Sequence, residues 1–457
     1  MTRTSRPSLR RRLAAATASL LAGSLALAGC AAGGGGGGDQ NSGGKGTLHA
    51  IFLPADWGTI VKNDLAPQYE KETGVKVDVQ LIGRDAIHEK MATLFAAGDS
   101  SFDIFNVDYN WIPEFGRAGH LVPLDDVLTA EDKADFLPLA LQVGTWDGQL
   151  LGVPQTIHPA LLWYRADLYN DPQTQADYQA ATGKQLTPPA TMDDWQQQVQ
   201  FFNGRTFKGT KLSGWAAQAA KGFGNVHTWL SFCYTYQCQP FNKDFTQSTL
   251  STPEGIAATQ RWADMMKFMP EGANQFTYDN VTAAAQQGTI ATAIQWSWGA
   301  FAVDDAKSSK TVGDWEFTTI PTGPTGTSSS HLAEWTITVS KYSKHADAAK
   351  KFVAWLETKK NDVYQADHGG GDPVRQSSYQ DPQLTEQKLP NSDVLRFRRL
   401  PVVLEAMKTA QPRPFFPLEE QWETTLSTQL SAISTGQVSV QDGLKTADQG
   451  VAQILQQ

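Results

Sequence analysis

Between residues 47 and 107 the chain switches repeatedly between two hydrophobic periods, and that rhythm constrains its fold more than any other feature. Residues 47–53 form a short apolar run closed by Pro54, which reads as a strand. Over 63–73, Leu65 and Tyr69 recur at helical spacing among charged neighbours, and Gly74 supplies the stop. Val75, Val77 and Val79 alternate with polar residues, the pattern of a half-buried strand. A helix is expected over 86–97, ended by Gly98, and a third strand over 102–107. This β-α-β-α-β order predicts an α/β lobe with a mostly parallel sheet flanked by helices. Sheets of that kind bind ligands at the carboxyl ends of their strands. The rule singles out Ala55-Asp56-Trp57 and Asp108-Tyr109-Asn110-Trp111.

Further along, two strand-like runs over 150–164 flank Gln155-Thr156-Ile157-His158-Pro159, and the pattern is then mainly helical to about Gly288. Helix starts are marked by Thr191-Met192-Asp193-Asp194 and by Thr252-Pro253-Glu254. A Pro, Gly, Ser and Thr segment over 320–330 reads as a loop or crossing, 334–339 as a strand, and 346–360 as an amphipathic helix. Gly369-Gly370-Gly371-Asp372-Pro373 is a strong breaker suited to a hinge. Helical sequence dominates from about Asp393, and no internal repeat is evident.

The first 46 residues carry an address. Arg10, Arg11 and Arg12 precede an apolar run over 13–28 that matches an export signal and is too short to span a membrane. Its end, Leu27-Ala28-Gly29-Cys30, resembles the lipobox of bacterial lipoproteins. That resemblance implies a signal peptide over 1–29, removed so that a lipidated Cys30 becomes the first mature residue. Residues 30–46, with glycine unbroken from Gly33 to Gly38, then form a flexible tether. Lipid would anchor the chain on the extracytoplasmic face of the cell membrane without spanning it. ATP and NADH are out of reach there, which leaves capture, hydrolysis or adhesion.

The net charge of −9 becomes more negative once the five arginines of the leader are removed. Such a balance disfavours nucleic acid as a partner and broad electrostatic contact with anionic lipid. Besides Cys30, only Cys233 and Cys238 remain. In an oxidising compartment they read as a disulfide, with two buried thiols as the other reading. No His or further Cys lies at zinc-ligand spacing, and neither a metal nor a cofactor is expected.

The order of the segments resembles extracellular solute-binding proteins of the maltodextrin-binding type, the capture subunits of ABC sugar importers. The resemblance rests on Tyr69-Glu70-Lys71-Glu72-Thr73-Gly74-Val75-Lys76-Val77, on Phe102-Asp103-Ile104-Phe105 with Asp108, and on Gly119-His120-Leu121-Val122-Pro123-Leu124. It continues through Leu151-Gly152-Val153-Pro154, Leu162-Trp163-Tyr164-Arg165-Ala166-Asp167-Leu168, Gly371-Asp372-Pro373-Val374-Arg375, and the stretch from Arg413-Pro414 to Leu444. Where Arg165-Ala166 stand, the family more often has Asn-Lys. The resemblance implies the two-lobed periplasmic-binding-protein fold (type II), with ligand in the cleft between lobes and hinge closure around it. It places one lobe at 47–157 plus 322–372 and the other at 158–321 plus 373–457. It also implies a monomer that delivers a sugar, oligosaccharide or polyol to the membrane permease of an ABC transporter.

A sugar needs aromatic plates for its C–H faces and planar polar groups for its hydroxyls. The chain has 14 Trp. The family carries a similar Trp-x-Trp whose first indole stacks on sugar, a role that falls to Trp296, with Trp298 expected to pack inside the lobe. Asp56 and Trp57 fall where the family places a polar ligand contact. Asn110 and Trp111 replace an Asp and an Arg that grip maltodextrin, and His158 replaces a ligand-binding Glu, so the resemblance does not extend to maltodextrin itself. Asp108, Glu334, Trp335, Asp372 and Arg375 complete the expected ligand-binding set, Arg375 through the planar fork of its guanidinium. Trp229, Trp422 and Tyr164 read as core residues. Catalytic signatures are missing: there is no Gly-x-Ser-x-Gly elbow or phosphate loop, His88-Glu89 lacks a second His, and 78–89 lacks the acidic ligands of an EF-hand. No enzyme is expected. The rival is a secreted lipoprotein glycoside hydrolase using the carboxylates of Asp108 and Glu334.

Overall fold

The computed structural model describes residues 46–456. The expected signal peptide and most of the expected tether, Cys30 included, lie outside them. Eight strands form the main sheet: β1 (Leu48–Phe52), β2 (Val77–Leu81), β3 (Ile104–Asp108), β4 (Val153–Arg165), β5 (Ser213–Ala216), β6 (Ile290–Trp296), β7 (Trp315–Thr318) and β8 (Leu332–Val339). Their order is β2-β1-β3-β8-β4-β6-β5, with β7 also paired to β4. The helices that matter below are α1 (Ala66–Thr73), α2 (Arg84–Ala97), α3 (Phe223–Thr235), α4 (Pro253–Met266), α5 (Tyr278–Gln286), α6 (Leu400–Met407), α7 (Glu419–Ser434) and α8 (Val440–Ile454).

β1, β2 and β3 are mutually parallel, as the opening rhythm requires, and β5 is parallel to β6. β8 runs antiparallel to both β3 and β4, and β6 and β7 run antiparallel to β4. The sheet is therefore more mixed than the rhythm alone implies. The chain returns along β8 after crossing between the halves, so that strand enters against its neighbours. The two runs expected over 150–164 are one strand, β4. It continues through Pro159 because the ladder changes partner there: Pro159 faces Leu332 of β8, and Ala160 faces Trp296 of β6. A residue without an N–H is tolerated where one ladder ends and another begins.

The helix expected over 63–73 starts earlier, through Asp56–Ile60 and a π-bulge at Val61–Leu65, and ends at Gly74 in the left-handed conformation. The helix expected over 346–360 divides into Ala346–Leu356 and Lys359–Asp367. Helices α3, α4, α7 and α8 pack together beside the second half of the sheet. Trp229 and Trp422 are fully buried there, and Trp229 Nε1 donates to Thr259 Oγ1 at 2.7 Å. The sulfurs of Cys233 and Cys238 are bonded, closing a short loop at the end of α3.

Candidate functional site

A cleft of about 1040 Å³ opens where the carboxyl end of β1, the middle of β4, the end of β6 and the start of α7 converge. Its wall is aromatic. Trp57 lies edge-on to Trp298, with ring centres 5.5 Å apart, and 5.9 Å from Trp335. Trp298 stacks on Tyr278 at 4.6 Å with 16° between the planes. Trp296 faces the cleft on one side and the His227 imidazole on the other, at 3.7 Å. Trp57 is fixed from behind, where its Nε1 donates to Asn106 Oδ1 at 3.2 Å. Rigid indoles at several angles suit a guest with several C–H faces.

Polar groups punctuate this wall. Asp56, at the turn after β1, faces the cleft; burial raises its pKa, and no opposing charge or donor offsets that rise. His158 is 1% exposed, between Trp57 and Trp298, with Nε2 3.1 Å from Thr156 Oγ1. Burial lowers its pKa further than the Asp372 carboxylate raises it, so the ring is neutral near pH 7. Of the expected ligand contacts, Asp56, Trp57, His158, Trp296 and Trp335 line the cleft together.

The others lie behind the wall. Asp108 accepts from Arg84 Nε at 3.2 Å and from Arg413 Nη2. Burial alone would raise its pKa, but the Arg413 and Arg84 guanidinium groups hold it below the ordinary carboxylate range. Asn110 is buried and donates to the Pro414 carbonyl at 3.4 Å. Trp111 Nε1 donates to Glu420 Oε1 at 2.6 Å. Glu334 points into the core with neither carboxyl oxygen hydrogen-bonded, and burial followed by the nearby Asp108 charge keeps its proton on. Asp372 pairs with Arg399, Nε to Oδ1 at 2.8 Å. Arg375 is consumed by Asp132 at 2.8 Å, Asp135 at 3.3 Å and the Glu357 carbonyl. Except for Glu334, each of these groups finds a partner inside the protein, which removes it from the cleft.

Trp298, expected inside the lobe, lines the cleft instead, because the turn after β6 carries it past the end of the strand. Tyr278, Phe223, Arg84 and Glu420 also line it and were missed. The strand-end rule reaches Arg84 when applied to β2 as well as to β1 and β3. Phe223 stands in Lys221-Gly222-Phe223-Gly224, a glycine-flanked entry to α3 that is legible as a loop. Among the described residues no group of three or more His, Cys, Asp or Glu could hold a metal, and no helix is long and apolar enough to cross a membrane.

Residues 54–363 match the family model for bacterial extracellular solute-binding proteins. The chain belongs to that family. This solute-binding protein is 23% identical over 328 residues to the erythritol/L-threitol-binding protein of Mycolicibacterium smegmatis, covering 69% of this chain and 68% of that one. It is 22% identical over 391 residues to the mannitol-binding protein of Pseudomonas aeruginosa, covering 81% and 84%. Its fold superposes on the ribitol complex of an ABC transporter solute-binding protein from Agrobacterium radiobacter with a TM-score of 0.76 at 23% identity, over 89% of this chain and 98% of that one. Maltose-bound MalE3 of T. maritima gives 0.75 at 21%, over 90% and 99%. The solute-binding protein thus has the two-lobed type II architecture, with the cleft between the lobes.

Proposed function

We propose that this protein captures a carbohydrate, as a sugar, oligosaccharide or polyol, and delivers it to the permease of an ABC importer. The observation that carries this reading is the cleft walled by Trp57, Trp296, Trp298 and Trp335 in a chain of the solute-binding family. The named ligands of its relatives, mannitol and erythritol among them, agree with that chemistry. Holding the ligand is the whole task, and no bond is broken. The carboxylates that a hydrolase would need, Asp108 and Glu334, do not reach the cleft wall; one is ion-paired, and burial raises the pKa of the other. A single cysteine at the end of the Leu27-Ala28-Gly29-Cys30 motif supports anchoring by lipid on Cys30, and the protein acts as a monomer.

The lobe division proposed is 47–157 plus 322–372 against 158–321 plus 373–457, and the exchange of partners at Pro159 favours its first boundary. Leu137 N donates to the Val374 carbonyl at 2.8 Å, a contact that speaks for moving the last boundary from 372 to beyond Arg375.

A thermal-shift panel of sugars and polyols tests the reading, since a ligand that binds only the folded state raises Tm. One or more carbohydrates should raise Tm, and Trp296→Ala should weaken the best of them about tenfold, or roughly 1.4 kcal/mol. A panel without a single shift, or steady hydrolysis of an oligosaccharide, would end it. Cys30→Ala should release the protein from membranes.

A further inference from the structure

The Trp296-Ser297-Trp298 turn projects two cleft indoles from one short segment, and Ser297 between them touches no part of the cleft. Its hydroxyl donates to Asp372 Oδ2, while Arg399 Nε, at the start of α6, donates to Asp372 Oδ1 at 2.8 Å. His158 Nδ1 lies 3.9 Å from the same Asp372 carboxylate. The Asp372 carbonyl accepts from Thr156 Oγ1 at 3.3 Å, and Asp372 bridges to Ile157 of β4. One buried aspartate therefore ties together four segments: its carboxylate holds the turn after β6 and the start of α6, and its backbone, in the glycine-rich crossing, holds the middle of β4. Asp372, His158, Ser297 and Arg399 are all 1% exposed or less.

The backbone around this knot has no slack. Gly371 has φ +115°, and a Cβ there would lie 1.8 Å from Thr156 Oγ1. A Cβ on Gly299, just beyond the indoles, would lie 2.8 Å from the Trp163 ring. A buried ion pair is weak evidence for stability, because well-packed apolar groups serve as well or better. What it does supply is direction: a carboxylate accepting from a hydroxyl and a guanidinium fixes both donors in orientation as well as distance.

We propose that Asp372 is a positioning residue for the ligand cleft, acting through Ser297 to aim Trp296 and Trp298. The wall is then set before any ligand arrives, which lowers the ordering cost of capture. This inference rests on the carbohydrate-cleft reading for its functional consequence, though the positioning itself is measurable without ligand.

The test compares the mature protein with Ser297→Ala and Arg399→Lys, and with Thr338→Ala as a control. The Thr338 hydroxyl donates to the Phe105 carbonyl at 3.3 Å inside the sheet, away from the cleft. Near-ultraviolet circular dichroism and acrylamide quenching report the tryptophans without ligand. Both Ser297→Ala and Arg399→Lys should change the aromatic spectrum and raise quenching, whereas the control should lower Tm with the spectrum intact. Affinity for maltose or D-mannitol, whichever raises the wild-type Tm, should fall about tenfold in Ser297→Ala. Unchanged spectra and quenching in both variants would overturn the proposal, whatever the Tm. Should neither sugar bind the wild type, the carbohydrate reading is weakened while the ligand-free spectra still decide the role of Asp372.

Discussion

The turns after β1 and β3 start from the same position in the sheet and end in different chemistry. Both follow neighbouring parallel strands, both open with or contain an aspartate, and both continue into tryptophan. After β1, Asp56 and Trp57 face the cleft, and nothing offsets the burial of the Asp56 carboxylate. After β3, Asp108 is clamped by Arg84 and Arg413, and Trp111 is tied to Glu420. The difference is the supply of partners. Arg413 and Glu420 come from the last part of the chain, which packs over the β3 turn and leaves the β1 turn open. Strand ends mark where a site is built, and the charges packed against each end decide whether it meets a ligand or the protein.

That contrast breaks most visibly in stability. Asp108→Ala removes the carboxylate shared by Arg84 and Arg413, leaving Arg413 to Glu423, and should cost about 3 kcal/mol in urea unfolding; a loss under 1 kcal/mol would mean the cluster does not hold the β3 turn. Trp111→Phe removes the N–H to the Glu420 carboxylate together with part of a buried ring, and should cost about 2–3 kcal/mol with ligand affinity unchanged. Asp56→Asn should do the reverse, weakening the best ligand of the panel about tenfold while stability moves by no more than about 0.5 kcal/mol. Calorimetry that finds Asp56→Asn silent on affinity would erase the distinction between the turns.

The smallest effect is in acid, where the two aspartates have opposite signs. Asp108 has a lowered pKa in the folded state, so its contribution is present above about pH 4 and is lost as pH falls through its folded value. Asp56 has a raised one, so the folded state takes up its proton more readily and gains stability as pH falls through that range. Stability curves between about pH 2 and 6 should therefore fall less steeply for Asp108→Asn than for wild type, and slightly more steeply for Asp56→Asn.

Much of the frame was legible because its signals are local. The three opening strands, the stops at Gly74 and Gly98 and the hinge-like glycines near Asp372 all follow from spacing and backbone chemistry. Five of the expected cleft residues share one cavity. The failures at Asp108, Asn110, Trp111, Glu334, Asp372 and Arg375 have a common origin. Each is a polar or amphipathic side chain turned inward, and all but Glu334 meet a partner from a distant part of the sequence, as Arg413 does for Asp108 and Asp132 for Arg375. A single sequence reports that such a group needs a partner but does not say whether the partner is a guest. Trp298 erred the other way, since the turn geometry after β6 was invisible in the Trp-Ser-Trp pattern.

β4 runs unbroken for 13 residues, its first part paired to β8 and its second to β6 and β7, so in the proposed division each lobe builds on part of the same strand. Neither lobe owns a complete sheet to which it could retreat if its neighbour came apart. Heating should therefore give a single calorimetric transition, with the shared strand making the melting of one lobe the melting of both.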